Sequence, residues 1–205
     1  MKYRPPTYSI IITLLLLVNI AGSAQVTPGQ LPVADVCLTP TEASLAKLIN
    51  EYRKKKKLPE VQISRSLTYV AQVHARDLSK YFRQGKRCNM HSWSDNGSWT
   101  SCCYTSDQRK TACMWNKPRE LTNYKGDGFE IAFYSNYSYS TPGEFAADIL
   151  KGWQGSKGHN QVIVNTGIWK AVVWKSMGIG VYGEYAVVWF GELPDNAGIP
   201  GMCTE

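Results

Sequence analysis

Trp153-Gln154-Gly155-Ser156-Lys157-Gly158-His159-Asn160-Gln161-Val162-Ile163-Val164-Asn165 is the stretch on which the reading of this 205-residue chain turns. It holds His159, one of three histidines, behind a glycine and ahead of the apolar turn Val162-Ile163-Val164. A second histidine, His91, lies in Cys88-Asn89-Met90-His91-Ser92-Trp93, and an isolated acid, Glu130, lies in Gly126-Asp127-Gly128-Phe129-Glu130-Ile131-Ala132. Two imidazoles and a carboxylate, each framed by glycines and aromatics, point to one polar pocket built from distant segments. Neutral imidazole nitrogen and carboxylate oxygen suit zinc and related divalent cations. His91, Glu130 and His159 are therefore candidates to hold zinc or another divalent metal, or to orient a polar ligand.

Working outward, Thr141-Pro142-Gly143-Glu144 opens a helix with proline in its first turn, and Phe145, Ile149 and Trp153 line its apolar face. Gly155 and Gly158 punctuate it before a short helical turn at 159–163. Beyond that, 169–174, 177–182 and 185–190 read as strands, and Gly183-Glu184 is a two-residue hairpin turn. Upstream, Thr39 or Thr41 caps a helix in which Leu45, Leu48, Ile49 and Tyr52 recur at helical spacing; the lysine run and Pro59 end it. A second helix is predicted over about 66–82, with Leu67, Val70, Ala71, His74, Leu78 and Tyr81 on one face. His74 within that apolar stripe reads as a packed, hydrogen-bonded core residue. From 85 to 139 no helical period survives, and a loop-rich region held by cysteines is expected. Helices, a loop-rich middle, a helix and then antiparallel strands define an α+β domain.

The first residues read as a leader. Lys2 and Arg4 precede the apolar run from Ile10 to Ile20, and Gly22-Ser23-Ala24 supplies small residues for cleavage. Residues 1–24 are thus an expected signal peptide, 25–40 a lead-in and 41–205 one domain. The apolar run is short for a bilayer span, so no stable membrane insertion is expected after its removal. Cleavage removes two cations and no acid, taking the net charge from +7 to +5. Much of that charge is Arg53-Lys54-Lys55-Lys56-Lys57 at a helix end, where cations suit the helix dipole. Docking on anionic lipid or nucleic acid is the alternative, but the sequence shows no second basic stripe, and nucleic acid is not the expected partner.

Six cysteines, Cys37, Cys88, Cys102, Cys103, Cys113 and Cys203, in an exported chain read as three disulfides with fifteen possible pairings. Adjacent Cys102 and Cys103 point opposite ways and take separate partners; Cys37 and Cys203 are expected to tie the termini together. Asn96-Gly97-Ser98 and Asn136-Tyr137-Ser138 are acceptor sequons that also read as turns.

Four elements in order carry a resemblance. They are His91-Ser92, Gly128-Phe129-Glu130-Ile131-Ala132, Trp153-Gln154-Gly155-Ser156-Lys157-Gly158-His159, and the paired segments 177–182 and 185–190. Over about residues 41 to 192 the chain resembles the CAP superfamily (cysteine-rich secretory protein, antigen 5, pathogenesis-related 1), whose SCP-like domains are extracellular. Many animal and plant members carry a second glutamate where this chain has Ser156, and the serine form is similar to bacterial-type members. The resemblance implies a three-layer α-β-α sandwich whose central cleft gathers His91, Glu130 and His159, with Ser156 and Trp153 lining it and, for want of the second acid, zinc or another divalent cation only weakly bound. It also implies a secreted protein acting by binding a lipid or sterol, a glycan or a protein partner. The loop aromatics Trp93, Trp99, Trp115, Tyr134, Tyr137 and Tyr139 are the expected recognition surface. A metal-dependent hydrolase with Glu130 as general base is one alternative; a structural or toxin-like module is the other. No residue is assigned a catalytic role.

Overall fold

The computed structural model describes residues 33–204, apart from 86 and 108–110. The expected leader and residues 25–32 of the lead-in lie outside the described residues. Helix α1 (Pro40–Lys55) begins at Thr39, which accepts from the Glu42 backbone N–H while the Glu42 carboxylate accepts from Thr39 N–H. This reciprocal cap settles the start at Thr39 and not Thr41. Glu42 is fully buried and goes further. Its carboxylate also accepts from Gln72 Nε2 at 2.9 Å and from Val181 N–H at 3.0 Å. One acid thus joins α1 to α2 (Arg65–Tyr81) and to strand β4 (Ser176–Tyr182). Helix α5 (Pro142–Gly155) repeats the capping box with Thr141 and Glu144, and α6 (Lys157–Ile163) follows directly.

The main sheet has the order β2-β4-β5-β3, with β2 at Gln62–Ile63, β3 at Phe129–Tyr134 and β5 at Tyr185–Gly191. The three long strands are antiparallel; only the two-residue β2 runs parallel to β4. Gly183 takes a φ of +55° in the turn joining β4 and β5, which pairs Tyr182 with Tyr185. The short strands β1 (Cys37–Leu38) and β6 (Gly201–Met202) pair separately, beside the disulfide Cys37–Cys203.

Both faces of the main sheet are covered. Ile131, Met177, Ile179, Ala186, Val188 and Phe190 join one core with α1, α5 and α6. Their strand neighbours Ala132, Tyr185, Val187 and Trp189 join a second core with α2. Alternate residues entering two different cores is what helices on both faces require, and the layering is α-β-α. On the α2 side the approach is very close. A Cβ on Gly178 would lie 2.0 Å from the Leu67 backbone, and one on Gly180 would lie 2.1 Å from that of Ala71. Within α2, Leu67, Val70, Ala71, His74 and Leu78 are buried as their spacing predicts, but Tyr81 is exposed at the helix end.

Two sequence expectations are corrected. The middle region is not without regular structure: α3 (Thr111–Trp115), α4 (Lys117–Leu121) and β3 lie within it. Burial on both faces gives β3 apolar residues on both sides and hides the period of two. Residues 169–174 form no strand. Gly167–Trp169 is a 3-10 turn, and Trp174 packs into the α1/α5 core with its Nε1–H donating to the Val162 carbonyl at 2.8 Å. The three disulfides are Cys37–Cys203, Cys88–Cys103 and Cys102–Cys113. The termini are therefore linked as expected, and the adjacent cysteines take separate partners.

Candidate functional site

Glu130 sits on the edge strand β3, opposite Trp189, and points to the α2 side of the sheet. Its carboxylate has no exposure to solvent. Oε1 accepts from His91 Nδ1 at 2.8 Å, and Oε2 accepts from His74 Nδ1. His74, also fully buried, donates its other nitrogen, Nε2, to the Ser92 carbonyl at 3.0 Å, and its ring stacks on Trp93 with centroids 4.3 Å apart. Facing only acceptors, the His74 ring needs a proton on both nitrogens, so it is an imidazolium paired with a carboxylate. Burial alone would push its pKa down, but the charge and hydrogen bond of Glu130 and the Ser92 carbonyl raise it above the ordinary 6.5. Burial likewise pushes Glu130 up, and the charge and hydrogen bond of His74, with the help of His91, hold it below 4.5.

The segment presenting His91 is locked in place. Asn89 Oδ1 accepts from His91 N–H at 3.0 Å, and the Asn89 carbonyl accepts from Ser92 N–H at 3.0 Å. Trp93 and Cys102 exchange backbone hydrogen bonds of 2.8 and 3.0 Å, with the Cys88–Cys103 and Cys102–Cys113 bridges beside them. With its Nδ1–H committed to Glu130, His91 keeps Nε2 as an acceptor, and 22% of its side chain is exposed.

His159 arrives from α6. Among the described residues its imidazole has no hydrogen-bond partner. Burial lowers its pKa below 6.5, and His91 adds repulsion that outweighs attraction to Glu130, so its imidazole is neutral near pH 7. It opens on a cleft of about 570 Å³ along the outer edge of β3, lined also by Asn89, Met90, Phe133, Trp153 and Ser156. Trp153 is fully buried and donates Nε1–H to the Ala132 carbonyl at 3.0 Å, tying α5 to the sheet edge. Ser156 stands at the joint of α5 and α6. Its backbone N–H caps α5, but its hydroxyl makes no capping hydrogen bond, contrary to the helix-capping role its position suggests.

Of the residues singled out in the sequence, His91 and Glu130 are in direct contact. His159, Ser156 and Trp153 share the neighbouring cleft. Among the described residues no group of three or more His, Cys, Asp or Glu could hold a metal ion. With both oxygens engaged, Glu130 fits an outer position behind His91, the arrangement in which a carboxylate orients a metal-ligating histidine. The donors such an arrangement leaves for a cation are His91 Nε2 and His159. His74 is the packed, hydrogen-bonded core residue that its place in the stripe indicates; what the sequence reading missed is that its partner is Glu130. The usable signal was chemical: a histidine inside an apolar stripe and an acid inside an apolar strand each need a buried partner of opposite charge.

Of the loop tryptophans, Trp93 is 2% exposed, whereas Trp99 and Trp115 are half-buried and pack against the α2 core. In a region poor in aliphatic residues they supply the apolar volume. Tyr134 and Tyr137 are exposed.

A disulfide-bonded α-β-α sandwich with a histidine- and glutamate-bearing cleft at its sheet edge is the class of protein this fold and site define. The family model for CAP, the cysteine-rich secretory protein family, matches residues 46–186, and the chain belongs to that family. Among solved structures it is similar to a cysteine-rich secretory protein from Staphylococcus aureus subsp. aureus Mu50, at 18% identity and TM-score 0.47, covering 75% of this chain and 38% of that one. It is also similar to an extracellular SCP-domain protein from Bacillus anthracis str. Ames, at 18% identity and TM-score 0.48, covering 75% and 40%. An outer surface protein of Borrelia burgdorferi aligns at 18% identity and TM-score 0.48, covering 74% of this chain and 92% of that one. The alignments thus span well under half of the first two proteins. A search of curated proteins found none that matches.

Proposed function

We propose that this CAP domain is an exported binding module whose sheet-edge cleft takes an amphipathic lipid or sterol. The observation that carries the reading is the cleft itself. Its volume of about 570 Å³ falls in the range of small-molecule sites, roughly 300–1,000 Å³. Met90 and Phe133 offer apolar wall, while neutral His159 and the uncommitted Ser156 hydroxyl offer a few polar groups at one place. Such a wall accepts an apolar body and orients one hydroxyl or carboxyl. A glycan fits this cleft less well, because the one tryptophan among its described lining residues, Trp153, is fully buried and offers no face to a sugar ring. The leader pattern and the three disulfides support export. The test is titration with a fluorescent sterol and a fluorescent fatty acid. Saturable binding, abolished by Ser156→Trp in a protein with unchanged circular dichroism, supports the reading; equal binding by that variant refutes it.

A second reading is favoured by the contact between His91 and Glu130. Glu130 fixes the His91 tautomer and directs Nε2 outward, so His91 and His159 would be the holders of a divalent cation. Such an ion would supply Lewis acidity and an activated water for hydrolysis. Calorimetric titration of zinc into chelator-treated protein, beside His159→Ala, tests it. Binding near one equivalent that the variant loses supports a cation site, and no heat at millimolar zinc removes it.

A further inference from the structure

We propose that the face made by the C-terminal end of α1 and the segment following α6 docks on an anionic lipid surface. The sequence offers one basic run, Lys54 to Lys57, and all four side chains are exposed. The fold brings a second segment against it. Arg53 is 1% exposed; its Nη1 donates to the Ile163 carbonyl at 2.5 Å and to Asn165 Oδ1 at 2.7 Å, and its Nε donates to the Pro59 carbonyl at 3.1 Å. Asn165 Nδ2 in turn donates to the Val172 carbonyl at 3.0 Å. One buried guanidinium thereby fastens the chain after the lysine run to the loop spanning 164–175.

That loop contributes Lys170 and Lys175 and no acid. It also carries apolar side chains in solvent: Ile168 is 85% exposed and Val173 is 53% exposed. Trp169 and Val172, between them, pack inward against the α1/α5 core and hold the loop in shape. Of the nearby acids, Glu51 lies 3.9 Å from Lys47, Glu60 follows Pro59 after the run, and Glu192 follows Gly191, whose carbonyl accepts from Lys175 N–H at 2.9 Å. Among the described residues Lys54, Lys55, Lys57, Lys170 and Lys175 enter no ion pair. Unpaired cations beside projecting aliphatic side chains match an interface that is anionic at its surface and apolar beneath. A nucleic acid would satisfy the lysines and leave Ile168 and Val173 in water. The geometry therefore favours lipid, as peripheral docking without insertion of a span.

The test uses the protein recovered from expression of the full chain, sedimented with vesicles of phosphatidylcholine alone or mixed with phosphatidylserine. Binding to the mixed vesicles only, reversed by high salt, is expected. Each lysine near such a surface contributes about a fivefold factor in partitioning. A variant combining Lys54→Gln, Lys55→Gln, Lys170→Gln and Lys175→Gln should therefore bind several-hundredfold more weakly, by roughly the product of four such factors. Ile168→Ser should weaken binding by about tenfold while leaving its salt dependence intact. Equal binding to neutral and mixed vesicles, or to neither, overturns the proposal. So does an Ile168→Ser protein that binds like the parent, or duplex DNA that displaces the protein from vesicles at equal charge concentration.

Discussion

Glu130→Gln is the most informative single substitution. It is nearly isosteric, so its effect is electrostatic. In the folded protein it leaves the His74 imidazolium without its hydrogen-bonded counter-charge, under Trp93 and away from water, with only the weaker attraction of Asp77 remaining. Removing one partner of a buried ion pair costs about 3–5 kcal/mol. For a domain of this size each kcal/mol moves Tm by roughly 2–4 °C, so a fall of about 6–20 °C is expected. The pH dependence distinguishes this cause from simple misfit. Glu130 has a folded pKa below its ordinary 4.5, so its stabilisation is complete above 4.5 and is lost as pH falls through the folded value. His74 has a folded pKa above its ordinary 6.5, so its stabilisation is complete below 6.5 and is lost as pH rises through the folded value. The pair thus contributes most between those two ordinary values. The deficit of Glu130→Gln, measured by urea denaturation across pH, should be largest in that window and shrink on either side. A loss under about 1 kcal/mol, or a deficit that does not vary with pH, would refute a buried ion pair.

His159→Ala should leave stability near pH 7 almost unchanged. The native histidine has a depressed pKa, so the unfolded chain binds its proton first and stability drains away as pH falls below 6.5. The variant should therefore be less acid-sensitive in denaturation curves, while losing affinity for whatever occupies the cleft. Gly178→Ala places a methyl group 2.0 Å from the Leu67 backbone; a loss of about 3 kcal/mol or more is expected in urea midpoints. Removing Cys37–Cys203, which closes a separation of 166 residues, should cost more than removing Cys102–Cys113, which closes 11. The chain-entropy values are about 5 and 3 kcal/mol, and paired Cys→Ser variants compared in denaturant check the order.

The legible part of the fold was what a local rule determines. Thr39 with Glu42 and Thr141 with Glu144 announce helix starts because an N-cap needs a side-chain acceptor and a reciprocal acid. The face of α2 followed from spacing alone, and Gly183 marked the hairpin. The illegible part was tertiary. Strand β3 lacks an alternating pattern because helices cover both sheet faces, and its one polar residue, Glu130, marks the site instead of a solvent face. Val172 and Trp174 have strand-forming side chains, but their cores and the Trp174 hydrogen bond to Val162 favour a turn. His91 and Glu130 were legible as a pair through the family pattern. The third member, His74, was not, because its partner lies 56 positions away.

With three histidines in the whole chain, imidazole NMR of the protein during titration with the sterol tests the central claim most directly. His74 should hold both ring protons throughout and stay unmoved, and His159 should begin neutral near pH 7 and shift in saturable fashion as ligand enters. A His159 signal that ignores the ligand, or a His74 ring that is neutral at pH 6, would contradict the account.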